Sequence, residues 1–434
     1  MKVLFISFNF DGSSSHQLSV GYLSSFLKSN KHKTALIEIR KRLNPELLVS
    51  KIVQLCPDII AFSFISNHWF IVKQYSREIK RTINKPIIAG GPHATLNPLE
   101  VISEESIDYV CVGEGEFALN ELVTRLECGS DTFNIKNIWC KKNKKIIRND
   151  LRPLIQDLDK LPFPDINLFY DKPEELTNLE IMTSRGCSFD CTYCCNHAFR
   201  NIYKGKGAYL RRRSVKGIIN ELKLYKSRYK NLSKIMFHDD LFINDMKWLE
   251  DFCNKYRKIK IPFLLSSRCE FINPYVIELL KNAGCCGIAM GIECGDEVFR
   301  KKVLKRTMNN KELVNAFSLV KKSGIKTRGN VMLGFPGETN KEMENTFKLI
   351  KKINPDIISS FIFYPYFGTE LHKICETNKL LTKKQKLYFY GKESTLRFDK
   401  KIKKSIMEYY EKIKKLKNFK AKPLSKSSFY IKKF

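Results

Sequence analysis

Three cysteines in an eight-residue loop, Cys187, Cys191 and Cys194, stand at C-x3-C-x2-C spacing. They follow an apolar, β-prone run at 179–183 and the turn Ser184-Arg185-Gly186. Three local thiolates can hold three irons of a cubane cluster, which ordinarily takes four Cys. Cys195 makes a poor fourth ligand, because it directly follows Cys194 and adjacent side chains diverge. One iron is then open to a substrate or cofactor, which turns an electron-transfer centre into a reaction centre. Two competing readings stand beside this one. A zinc site would pair these thiols with a second, distant Cys or His pair, and no clear pair is visible. The three could also be buried structural thiols.

Other reactive side chains recur at the ends of apolar runs further on. Phe237-His238-Asp239-Asp240 offers two carboxylates, either of which can hold an amino group or simply start a helix. His238 reads as a packed strand histidine before it reads as a general base. Ser266-Ser267-Arg268 ends in a guanidinium suited to planar two-point pairing with a carboxylate. Gly291 and Glu293 combine an open backbone with an acceptor for hydroxyl groups. The turn Gly334-Phe335-Pro336-Gly337-Glu338-Thr339 can begin a helix, and Tyr364 and Tyr366 can line a substrate cavity or pack. Arg211-Arg212-Arg213 is either an anion contact or a solvated basic turn.

These positions need a scaffold that puts strand ends together. Over the first 125 residues, strands are expected at 2–8, 34–39, 58–64, 86–90 and 109–113, with helices at 19–28, 45–56, 68–81 and near 99–104. Such β-α alternation predicts a doubly wound parallel sheet with ligand contacts at the strand C-termini. The loops there carry Ser63, Ser66, Gly90, Gly91, His93, Gly113, Glu114 and Gly115. No G-x-G-x-x-G follows the first strand, which argues against a dinucleotide site. A basic hairpin at 139–149 and a Pro-containing linker mark a boundary. A second alternation follows, with strands at 179–183, 234–238, 263–267, 287–292, 327–333 and 357–364. Six β-α units are two short of a full TIM barrel, and their active residues belong at strand C-termini.

Composition sets the outer limits. The 434 residues suffice for two or three domains, and the 43% hydrophobic content suits real cores. No apolar run approaches the ~20 residues needed to span a bilayer. The first eight residues read as a strand and not a signal peptide, so a cytoplasmic location is expected. Fourteen cysteines then argue for metal or thiol chemistry before disulfides. The net charge of +32 is spread along the chain and identifies no polyanion partner; nucleic acid is not expected. The last 36 residues hold 13 Lys, and their periodicity predicts one amphipathic helix with a basic face. That helix can cover the barrel, dock a substrate or make peripheral membrane contact.

The cysteine loop resembles the signature of the radical S-adenosylmethionine (SAM) enzymes, C-x3-C-x-aromatic-C, with Tyr193 as the aromatic. Gly90-Gly91-Pro92-His93-Ala94-Thr95 and Val112-Gly113-Glu114-Gly115-Glu116 resemble segments of the cobalamin-binding domain found in B12-dependent members of that family. The resemblance covers roughly residues 1–370. It implies an N-terminal Rossmann-like cobalamin-binding domain (1–135), a hairpin and linker (136–177), a partial (β/α)6 radical SAM barrel (178–370) and a basic helical segment (371–434). It implies a [4Fe–4S] cluster on Cys187, Cys191 and Cys194, whose open iron chelates SAM. Tyr193, Asp239, Asp240, Arg268, Gly291 and Glu293 would surround SAM. Ser63, Ser66, Gly90, Gly91, His93, Gly113, Glu114 and Gly115 would surround cobalamin. Asp11 to His16 lacks the D-x-H-x-x-G spacing, so cobalt would have no protein histidine, with His68 and His93 as possible neighbours.

The implied reaction is methylation of an unactivated carbon through a 5′-deoxyadenosyl radical and methylcobalamin. The substrate would be a small molecule, lipid or peptide, and electrons would come from an external donor such as a flavodoxin or ferredoxin. Radical cyclisation or rearrangement remains an alternative, as does methylthio transfer, although Cys56, Cys111, Cys128 and Cys140 are poorly arranged for the second cluster that would need. A cobalamin or redox sensor is the remaining, non-enzymatic reading.

Overall fold

The computed structural model describes residues 1–10, 18–170, 176–382, 393–416 and 429–434. Two parallel sheets dominate. In the first, β1 (Lys2–Phe8), β2 (Lys33–Ile39), β3 (Ile59–Ser63), β4 (Ile87–Gly90) and β5 (Tyr109–Cys111) lie in the order β2-β1-β3-β4-β5, all parallel. β1 and β2 are buried along almost their whole length, because helices cover both faces of the sheet, and this is why they read as continuous apolar runs rather than alternating ones. The strand order is that of the flavodoxin-like doubly wound folds, which bind ligands beyond the strand C-termini.

The hairpin β6 (Ile138–Lys142) and β7 (Lys145–Ile147) adds to this sheet antiparallel to β5. The hairpin expected ahead of the linker therefore extends the first sheet. The short turn Asn143–Lys144 has both residues at positive φ, as a tight two-residue hairpin needs.

The second sheet has six parallel strands in sequential order: β8 (Asn178–Ile181), then β11 (Lys234–Phe237), β12 (Phe263–Ser267), β13 (Cys285–Glu293), β14 (Lys326–Leu333) and β15 (Ile357–Ile362). Between β8 and β11 lies a two-residue antiparallel pair, β9 (Ser184–Arg185) and β10 (Arg211–Arg212), which flanks the cysteine loop. In β14 the buried Thr327, Gly329, Val331 and Leu333 alternate with half-buried Arg328, Asn330 and Met332. One face packs on helices while the other lines the curled interior.

Glu338 accepts the backbone N–H groups of Gly334 (2.5 Å) and Phe335 (3.1 Å), which closes the turn after β14. Thr339 then starts the next helix through a capping box with Glu342.

The C-terminus departs from the expectation of one helix. Lys400–Leu416 is helical and packs Ile406 and Ile413 against the barrel beside β14 and β15. The chain ends differently: β16 (Phe429–Lys432) joins the first sheet, antiparallel to β2. Backbone pairing at the open β2 edge overrode the basic composition of this segment. The segment Asp11 to His16 lies outside the described residues; among the described residues no helix is long and apolar enough to cross a membrane.

Candidate cofactor site between the two sheets

The C-terminal ends of the two sheets face each other across a cavity of about 670 Å³. Ser63, Gly90, Gly91, Gly113, Glu114 and Gly115 line it from the first sheet. Tyr193, Cys194, Cys195, Asn196, Tyr203, Tyr209, Asp240 and Tyr366 line it from the second. This size lies within the range of small-molecule and cofactor sites.

Hydrogen-bond donors surround the cysteine loop. Arg268 Nη1 donates to Cys191 Sγ at 3.4 Å, and Asn196 Nδ2 donates to Cys194 Sγ at 3.7 Å. Tyr209 Oη donates to Asn196 Oδ1 at 2.9 Å and fixes that amide. Donors aimed at sulfur suit thiolates that carry cluster charge. Among the described residues no three His, Cys, Asp or Glu converge tightly enough for a single metal ion. Three thiols on one loop, with N–H donors aimed at two of them, fit the donor set of an iron–sulfur cluster.

The structure separates the two neighbouring acids that the sequence left equivalent. Asp239 is buried and accepts Thr183 N–H (3.1 Å), Thr183 Oγ1 (2.7 Å) and the Ser184 hydroxyl. It ties β11 to the root of the cysteine loop and has no free face. Asp240 points into the cavity and keeps surface open to it, yet protein surrounds it closely enough that burial raises its pKa. Of the pair, Asp240 is the one that can meet a ligand.

Arg268 departs from its expected role as a free partner for a SAM carboxylate. Its guanidinium pairs with Glu270, lies 3.6 Å from the centre of the Phe189 ring, and reaches Cys191. Glu293 sits at φ +61° after an irregularity in the β13–β14 register between Gly291 and Glu293. Such a bulge re-aims a side chain. Here it turns Glu293 toward Arg306 (3.7 Å), which also donates to Gly291 O at 2.8 Å and to Tyr193 Oη at 3.2 Å. A Cβ at Gly291 would overlap the Glu293 carboxylate. Burial raises the Glu293 carboxyl above its ordinary range despite Arg306. Arg306 carried no sequence signal, because it lies in a loop beyond the helix after β13.

On the first sheet, two expected contacts turn away from the cavity lining. His93 Nδ1 lies 3.0 Å from Ser66 Oγ, and the ring packs against the stacked pair Phe64 and Trp69. Burial, helped by Lys73, lowers the His93 pKa to about 4 and keeps it neutral. His68 packs against Phe8 and Phe10. The glycines serve the protein's own packing. A Cβ on Gly91 (φ +95°) would meet Phe64 O at 2.7 Å, and one on Gly113 (φ +85°) would overlap the Tyr203 hydroxyl.

Glu114 is engaged by protein groups. Oε1 accepts from Arg185 (2.9 Å) and Arg211 (2.8 Å), and Oε2 accepts Ile155 N–H (2.9 Å). Burial pushes its carboxyl up, but the two guanidiniums outweigh that and hold it below the usual range. Arg211 is thus neither a solvated turn nor a free anion contact. Arg212 stacks 4.1 Å over Trp248, and Arg213 pairs with the buried Glu221 at 2.5 Å.

Loops from both sheets thus open on one chamber large enough for a small-molecule or cofactor site. A family model for the B12 binding domain matches residues 2–123, and one for the radical SAM superfamily matches residues 181–350. Among curated relatives, an uncharacterized methyltransferase of Pyrococcus horikoshii is 28% identical over 85% of this chain and 80% of its own length. An anaerobic magnesium-protoporphyrin IX monomethyl ester cyclase of Rubrivivax gelatinosus is 25% identical over 86% of this chain and 69% of its own. Among solved structures, the radical SAM methyltransferase TsrM from Kitasatospora setae, bound to tryptophan and a SAM analogue, superposes with TM-score 0.70. That match has 16% identity and covers 87% of this chain and 76% of TsrM; the likeness is one of fold.

The chain thus combines a B12 binding domain with a radical SAM domain. The radical SAM domain takes a [4Fe–4S] cluster and SAM, and the B12-binding domain takes cobalamin.

Proposed function

We propose that the protein methylates an unactivated carbon of a small-molecule substrate. The observation that carries this reading is the shared chamber, open both to the cysteine loop and to the strand ends of the first sheet. When bound, the cluster and SAM supply hydrogen-abstracting radical chemistry, and cobalamin supplies a transferable methyl group.

The chain's own residues hold and shield these groups. Cys187, Cys191 and Cys194 ligate the cluster, with Arg268 and Asn196 donating to its thiolates. Tyr193, Asp240, Gly291 and Glu293 flank SAM, with Arg306 fixing Tyr193 and Glu293. Ser63, Gly90, Gly91, Gly113 and Gly115 form the cobalamin wall of the chamber. Asp239, Ser66 and His93 support these walls from behind. Residues 1–135 act as the cobalamin-binding unit, extended by the hairpin of the 136–177 segment, and 178–370 as the barrel. An external electron donor of the flavodoxin or ferredoxin kind would supply the electron this chemistry needs. Burying the chamber between two sheets keeps water away from the reacting centre.

Anaerobic reconstitution with iron, sulfide and hydroxocobalamin tests this directly. About four irons and one cobalt per chain are expected, followed by substrate mass gains of one methylene per turnover. Iron without cobalt would remove the methylation reading. The cyclase relatives favour a second outcome, loss of hydrogen without methyl gain, which the same mass measurement separates.

A further inference from the structure

The strongest unassigned feature is a buried ion network that joins the two cofactor loops. Arg185 lies two residues before Cys187, within β9. It donates from Nη1 to Glu114 (2.9 Å) and from Nη2 to Glu116 (2.6 Å), and its guanidinium sits 5.2 Å from the Tyr22 ring centre. Arg211, opposite Arg185 in β10, holds the same Glu114 oxygen at 2.8 Å. Tyr203, at the end of the helix that follows Cys194, reaches across as well. Its hydroxyl accepts Glu114 N–H at 2.8 Å, and its ring occupies the space a side chain at Gly113 would need.

Both Glu114 oxygens are therefore committed to protein partners from beyond the first sheet. Buried charges of this kind tolerate no partial separation, because an unpaired charge in such a site costs several kcal/mol. The Gly113–Glu116 loop and the root of the cysteine loop must move as one body. Each borders the chamber from its own side.

We propose that Glu114 and Arg185 form a positioning pair that couples the two cofactor sites, so that loading the cluster tightens cobalamin binding and bound cobalamin stabilises the cluster. The inference rests on the two-cofactor reading above. Linkage makes the coupling reciprocal. An ordered cysteine loop fixes Arg185, which fixes Glu114 and with it the cobalamin wall.

The test compares hydroxocobalamin affinity, by anaerobic equilibrium dialysis, in cluster-loaded protein and in protein stripped of iron by a chelator. The wild type should bind about tenfold more tightly when loaded. Glu114→Gln keeps the shape but loses the charge. Arg185→Lys keeps the charge but cannot bridge two carboxylates. Both variants should take up iron as the wild type does, while the affinity ratio falls towards one. A simple structural tie would lower affinity equally in both states and leave the ratio intact, which would overturn the coupling. So would a wild-type ratio of one. If the wild type takes up iron but no hydroxocobalamin at all, the two-cofactor reading itself fails, and the coupling fails with it. Should Glu114→Gln not fold, Tyr203→Phe removes only the hydroxyl on Glu114 N–H and should lower the same ratio in part; an unchanged ratio would again overturn the coupling.

Discussion

Arg268 illustrates how one side chain is claimed by several partners. Its stacking on Phe189 and pairing with Glu270 hold the guanidinium against Cys191 Sγ. With Cys191 as a cluster ligand, as proposed above, this cationic donor to its sulfur would favour the more negative, reduced cluster and so raise its potential. Arg268→Met should shift the cluster potential downward by tens of millivolts, where ~59 mV is tenfold for one electron; an EPR-monitored redox titration reads this. His93 makes a different prediction. Its folded pKa of about 4 lies below the 6.5 of the free side chain. The unfolded chain therefore takes up a proton near pH 6.5 that the folded chain refuses until about pH 4. Stability from neutral His93 is full above pH 6.5 and falls as pH drops toward 4. Urea unfolding at pH 7 and pH 5 should show a loss of up to about 2 kcal/mol that His93→Gln abolishes.

Elements decide where these side chains meet. Gly113 needs both its positive φ and its missing Cβ, because Tyr203 from the barrel helix occupies that space. Gly113→Ala should cost roughly 1–3 kcal/mol and weaken hydroxocobalamin binding, measured by thermal unfolding and dialysis together. The terminal strand β16 has a different task. It covers the β2 edge, with Arg40 lying over the Tyr430 ring and Lys432 Nζ donating to Tyr170 O at 3.1 Å. Removing residues 429–434 exposes a long apolar edge strand, and such edges template aggregation. Light scattering of the truncated chain on warming should rise earlier than that of the full chain.

The two sheets work as one unit through the chamber they enclose. Because loops from both line it, hydroxocobalamin should slow amide exchange at 113–116 and at 184–196 together. Protection confined to the first loop would mean that the cofactor touches only its own domain. The basic charge of the whole chain adds little to this: several lysines and arginines are spent in local pairs, such as Lys348 with Glu344 and Arg77 with Glu104.

The sequence by itself determined the strand and helix order, because apolar runs separated by amphipathic stretches leave few ways to bury both faces of a parallel sheet. Cys187, Cys191 and Cys194 were legible for the same kind of reason, since their chemistry depends on short spacing within one loop. Tertiary structure alone decided which of Asp239 and Asp240 faces the chamber, since adjacent residues differ only in the direction their strand end gives them. It alone revealed Arg306, Tyr203 and the Glu114–Arg185–Arg211 network, whose partners lie 13 to 113 positions apart in the chain. It also made residues 429–432 of the lysine-rich terminus an edge strand, while Lys400–Leu416 formed the expected helix. No local pattern encodes these pairings: they arise when two sheets distant in sequence bury charge against each other and each guanidinium must find a carboxylate there.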